Sequence, residues 1–211
     1  NMGEVTVARE RSFATGTGNA ERQSTRTVGG ATEAGYSAAL KRSILSYENK
    51  QRQEWDEAMA FYDDAGNQLA RVQGKSDHVS VRKDQVPGEN LILTHNHPAA
   101  LGQTGYRSIG NSFTPDDMVM AVKFKAKEMR AITPNYTFSF KRPQGGWNAK
   151  QTEVRRAYER AMAKVRADGE YYYGRARMTD VANERYMATY WHRVNKIVAK
   201  EFGWNYSKKK G

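Results

Sequence analysis

Leu91-Ile92-Leu93-Thr94-His95-Asn96-His97-Pro98 constrains the fold of this chain more than any other stretch, because an apolar run of strand length ends on a proline. Leu91 to Thr94 reads as a buried strand, and Pro98, with no amide hydrogen to give to a ladder, ends it. Residues two apart on a strand project to the same face, so His95 and His97 are expected side by side at its carboxyl end. Loops at such ends usually carry chemistry. Beyond Ala99 to Phe113, the run Thr114-Pro115-Asp116-Asp117 has the form of a helix start, with a hydroxyl at the N-cap, proline at the first helical position and acids in the first turn.

Two imidazoles and a carboxylate brought together in this way can share one metal ion. Neutral imidazole is a common zinc ligand, and a catalytic site typically keeps three protein ligands and leaves one position open to water. His95, His97 and Asp117 are the candidate ligands. Asp117 at the third helical position has a second reading, as a cap bound only to backbone amides. His78 and His192, each alone, read as packing or surface residues.

A helix is expected from Ala34 to about Gln51, with Tyr36, Leu40, Ile44, Leu45 and Tyr47 as an irregular apolar stripe. Asp64 to Asn67 forms a turn joining a strand from Glu54 to Asp63 with a second, Gln68 to Val72. Met118, Ala121, Val122, Ala126 and Met129 read as one helical face, followed by a strand from Tyr136 to Phe140. The pattern is a mixed α/β sandwich. Without cysteine, disulfides, thiolate ligands and a cysteine nucleophile are excluded, so any metal must be held by nitrogen and oxygen.

In order along the chain, Glu54, then His95-Asn96-His97-Pro98, then Thr114-Pro115-Asp116-Asp117 resemble the pattern of the JAB/MPN (JAMM) metalloenzyme superfamily: an upstream glutamate, His-x-His-Pro and Ser-x-x-Asp. The likeness covers about Gln53 to Pro143 and is greatest to the RadC-type branch and to JAB-like domains of phage head and toxin proteins. Glu54 to Asp63 resembles the family's first central strand, and His78 to Val81 a short segment that precedes a helix in the RadC-type branch. The resemblance implies a cytidine-deaminase-like mixed sheet sandwiched by helices. It also implies one Zn2+ held by His95, His97 and Asp117, and cleavage of a peptide or isopeptide bond. Glu54 is then the general acid–base residue, and Thr114, in place of the family's serine, steadies the oxyanion. Glu57 is the runner-up base, of opposite strand parity to Glu54, and Asp56 is a weaker candidate. Ala99 to Phe113 is longer than the family's usual loop and reads as a lid or a substrate-selecting segment. Two other functions fit the same letters: a metal-dependent nuclease or nucleic-acid effector on this scaffold, and a non-catalytic virion or interaction module.

The chain of 211 residues, 38% of them hydrophobic, is long enough for one core with appendages. Residues 1–33 are rich in Gly, Ser, Thr, Arg and Glu and read as a flexible arm or linker, residues 34–143 as the hydrolase core, and residues 144–211 as a basic helical extension. From Asn148 to Gly211 there are 15 Lys and Arg against 7 Asp and Glu, so +8 of the chain's +11 lies there. Arg155, Arg156, Arg160, Lys164 and Arg166, with Arg175, Arg177 and Lys208 to Lys210 beyond, could follow phosphates, and Tyr171 to Tyr173 could stack on bases. An acidic partner such as an immunity protein would use the same charges. No apolar run is long enough to span a membrane and no signal-peptide core is present, so a soluble protein is expected, cytoplasmic, virion-associated or delivered as an effector domain. The opening Asn1-Met2 suggests a cloning remnant or a piece excised from a longer protein, such as a phage or toxin polyprotein.

Overall fold

In the computed structural model, which describes residues 5–8, 35–173 and 180–211, the chain is a mixed α/β structure. Among these residues, six strands form one mixed sheet, two more form a small ribbon, and four α-helices pack around them. The ribbon pairs β1 (Val5–Ala8) antiparallel with β4 (His78–Val81), so part of the expected N-terminal arm is a strand. The large sheet has the order β3 (Gln68–Gln73), β2 (Ala58–Tyr62), β5 (Ile92–Asn96), β6 (Glu128–Ile132), β7 (Tyr136–Lys141), β8 (Asn205–Lys210). Only β5 and β6 run parallel. A parallel pair needs a crossover, and the segment from Pro98 through α2 (Pro115–Lys123) supplies it.

Every residue of β2, β5 and β6 is buried, as expected of strands covered on both faces. On one face lies α1 (Ala38–Gln51), started by Ser37, whose hydroxyl accepts the Leu40 amide at 3.1 Å. Its buried positions Leu40, Ile44, Glu48 and Gln51 recur at helical spacing, and Leu40 and Ile44 pack with Ala60, Tyr62 and Ile92. Leu45, part of the expected apolar stripe, is exposed. Glu48 is held by Arg130, whose Nε and Nη2 donate to its two carboxylate oxygens at 2.7 and 3.0 Å. Arg130 Nη1 donates to Glu128 at 2.9 Å, and Glu128 also accepts from the hydroxyls of Tyr36 and Ser139. Thr94 donates to Glu48 at 2.8 Å, so this buried network ties α1 to the residue next to His95.

The other face carries the main core, where Met59, Phe61, Leu93, Met129, Phe138 and Phe140 pack with Met118 and Met120 of α2. It also takes in Val154 and Tyr158 of α3 (Gln151–Tyr173), and Trp191, Val194 and Val198 of α4 (Asp180–Phe202). Residues 144–211 are therefore no appendage to a finished core. Burying each of these side chains contributes about 1.5–3 kcal/mol, and without them the sheet face under α3 and α4 would be bare. Trp147 and Trp204 lock the junction: their indoles donate to Ala126 O and Trp147 O at 2.9 and 2.8 Å. Two strands differ from the sequence reading. Ala126 and Met129 do not extend the helical face, because α2 ends at Lys123 and Lys125 turns the chain at φ 51° into β6. The tail Asn205–Lys210 is a sheet edge, and charged lysines on such an edge discourage pairing with a further strand.

Candidate metal centre

His95 lies in β5 and His97 just beyond it, both on the α2 face, as period two requires. Their Nε2 atoms are 2.9 Å apart. Asp117, in the first turn of α2, brings Oδ1 to 3.0 Å from His95 Nε2. The ligand atoms of all three lie within 4.8 Å of one another, and the residues are at most 1% exposed. For bonds of about 2.0–2.1 Å, a tetrahedral ion sets its ligand atoms about 3.3 Å apart, so the two separations at His95, 2.9 and 3.0 Å, are within a few tenths of an ångström of that spacing.

The two readings of Asp117 are both satisfied, one oxygen each. Oδ2 accepts from the backbone N–H of Thr114 at 2.6 Å and from its hydroxyl at 3.0 Å, closing a capping box. Oδ1 is buried and faces His95 Nε2 at 3.0 Å, out of line for a well-formed hydrogen bond. A buried carboxylate oxygen left in this state is costly unless another group takes it up. Burial pushes the Asp117 carboxyl up, but the facing His95 and His97 imidazoles and the Thr114 amide outweigh it and hold it below the usual carboxylate range. The ionised form is the one that ligates.

His97 Nδ1 donates to the carbonyl of Asn111 at 2.9 Å. A carbonyl can only accept, so Nδ1 carries the proton and Nε2 keeps its lone pair for an ion. The cluster is therefore able to hold a metal ion, with two nitrogens and one oxygen offered.

The upstream glutamate is a correction. Glu54 is not on a strand: α1 runs to Gln51, and Gln53 to Asp56 are spent reversing the chain, leaving Glu54 and Asp56 exposed. The buried acid is Glu57. Its amide donates to Lys75 O at 2.8 Å and its carbonyl accepts from Gly74 at 2.7 Å, so it continues β2 in extended form. Met59, two residues on, is the direct partner of His95. Glu57 thus has the strand parity of the residue opposite His95 and belongs to the metal-site face. Parity counted from Met59 and Phe61, rather than from Glu54, would have found it.

Thr114 is also more committed than the sequence suggested. A threonine hydroxyl has one proton, and here it goes to Asp117. Asn96, between the two histidines, points to the other face, where its Oδ1 accepts the Ala58 amide at 2.8 Å and its Nδ2 donates to Asp56 O at 3.0 Å, fixing the start of β2.

The basic residues of α3 are exposed, but three of the five are paired: Arg155 with Asp116 at 2.7 Å, Arg160 with Glu201, and Lys164 with Asp168 at 3.6 Å. Lys208 lies 4.3 Å from the centre of the Tyr136 ring. Arg175, Arg177 and the Tyr171 to Tyr173 side chains lie outside the described residues. No described helix is long and apolar enough to cross a membrane.

No family model, no curated protein and no solved structure matches the chain.

Proposed function

We propose that this chain is a zinc-dependent hydrolase of JAB/MPN type that cleaves a peptide or isopeptide bond, with His95, His97 and Asp117 as metal ligands and Glu57 as the general acid–base residue. The observation that carries the reading is the convergence of three buried ligand atoms, one of them a carboxylate oxygen facing the imidazoles, on the sheet face to which Glu57 belongs. The donor set suits zinc, which accepts nitrogen and oxygen ligands. When bound, such an ion supplies Lewis acidity: it brings the pKa of a water towards neutrality and polarises the scissile carbonyl.

The chain's own residues supply the remaining parts. Asn111 O fixes the tautomer and ring orientation of His97. Thr114 orients Asp117 so that one oxygen faces the imidazoles. Glu57, a carboxylate with no solvent exposure, takes the proton released by water and returns it to the leaving amine. With the Thr114 proton given to Asp117, the oxyanion is left to other donors or to a rotated Thr114. The ion pairs that occupy Arg155, Arg160 and Lys164 weaken the nucleic-acid reading.

The deciding experiment incubates the full chain with ubiquitin-like conjugates, generic peptides, DNA and RNA, with and without a chelator, beside Glu57→Gln. Chelator-sensitive amide cleavage that is lost in Glu57→Gln supports the proposal. Cleavage of nucleic acid alone, or cleavage indifferent to chelator, overturns it.

A further inference from the structure

We infer that Asn195, on a helix outside the region of family resemblance, is a positioning residue for the metal centre. The inference rests on the metal reading above. Asn195 is fully buried on α4 among Tyr158, Trp191 and the segment that leads into α2. Its Nδ2 lies 2.9 Å from Phe113 O, 3.3 Å from Ser112 Oγ and 2.8 Å from Trp191 O, and its Oδ1 accepts from the Tyr158 hydroxyl.

The segment it grips is short and touches a proposed ligand at each end. Asn111 O accepts from His97, while Thr114 donates twice to Asp117. Between them lie only Ser112 and Phe113, the two residues that Asn195 holds. Ser112 is fixed a second time, 2.8 Å from the Tyr206 hydroxyl, which in turn is 2.9 Å from His192 Nδ1. The separation of His97 from Asp117 is therefore set through four residues whose middle is pinned by α4 and β8. Groups that orient metal ligands without touching the ion commonly change affinity by about 10–100-fold when removed.

Asparagine suits this position for a physical reason. One planar amide can donate to a carbonyl on one side and accept from a hydroxyl on the other, satisfying groups that are all buried. Aspartate would accept from Tyr158 but could not donate to Phe113 O, and leucine would orphan both. Nothing in the backbone demands this residue, since α4 is a regular helix here.

The test is Zn2+ affinity of the full chain by competition with a chromophoric chelator, with thermal unfolding of the metal-free forms in parallel. Asn195→Ala is expected to bind Zn2+ at least about tenfold more weakly than wild type. Tyr158→Phe, which removes the hydroxyl at the other end of the amide and leaves Phe113 O and Ser112 Oγ held, is expected to stay close to wild type. A role confined to packing would lower the unfolding midpoints of both variants without separating their affinities, and that result overturns the inference. Should Asn195→Ala not fold, the side-chain amide resonances of Asn195 in nitrogen-labelled wild type decide: they shift when one equivalent of Zn2+ is added, or the inference fails. Wild type that takes up no Zn2+ would instead remove the metal reading itself.

Discussion

Lowering the pH should destabilise the metal-free protein through one residue, His192. Its ring is half-buried against Phe138 and Tyr206, and loss of hydration there, then the neighbouring Lys208, Lys196 and Arg193, push its pKa from 6.5 down to about 3. The unfolded chain therefore binds a proton between those two values that the folded chain refuses. Stability is at its full value above pH 6.5, declines as pH falls through the window, and has nothing further to lose from this group below about pH 3. At 1.36 kcal/mol per unit, the loss is roughly 2 kcal/mol by pH 5 and on the order of 4–5 kcal/mol at the bottom of the window. His192→Asn removes the titration while leaving a polar atom near the Tyr206 hydroxyl. Urea unfolding of both proteins in chelator, at intervals from pH 7.5 to pH 4.5, should show wild type losing about 2 kcal/mol more than the variant by pH 5. Parallel stability curves would refute the reasoning, as would an NMR titration placing the His192 pKa near 6.5.

Other changes test separate parts of the account. Arg130→Met leaves Glu48 and Glu128 buried without their shared cation, and should cost about 3–5 kcal/mol in urea unfolding; a loss below 1 kcal/mol would mean that the network is not the tie between α1 and the sheet. Gly110 has φ 71°, and a Cβ there would lie 2.6 Å from the Thr133 side chain. Gly110→Ala should therefore destabilise by at least about 1 kcal/mol and weaken Zn2+ binding, because the loop that carries Asn111 must shift; an unchanged midpoint and affinity would contradict this. Glu57→Gln should keep Zn2+ but lose about 10²–10⁴-fold in any amide hydrolysis, whereas Glu54→Gln leaves turnover near wild type. The reverse pattern would restore the first assignment of the base.

The metal-site residues were legible because each is set by local rules. Strand parity aligned His95 with His97, Pro98 closed the strand, and Thr114-Pro115 started the helix that carries Asp117. Glu57 was obscured by one local uncertainty, the point at which α1 gives way to β2. A shift of that start by one residue exchanges the two faces of a strand. β6 was hidden because Glu128 and Arg130, which look like an exposed helix face, are buried in an ion network that only the folded sheet creates. β8 was hidden for a related reason: Asn205 to Lys210 is too charged for a core strand and makes sense only at an edge beside β7. Asn195 could not be read at all, since its partners Phe113 and Tyr158 lie 82 and 37 residues away. The basic count of residues 148–211 could not show which charges meet, because the pairing of Arg155 with Asp116, of Lys164 with Asp168 and of Arg160 with Glu201 is set by the fold.

Metal stoichiometry of the purified chain, by elemental analysis and then by titration of the stripped protein with Zn2+, bears most directly on the central claim. The account predicts one ion per chain, lost in His95→Ala, in His97→Ala and in Asp117→Ala, and retained in Glu57→Gln. Wild type that takes up no ion, or ligand variants that bind it as tightly as wild type does, would contradict it.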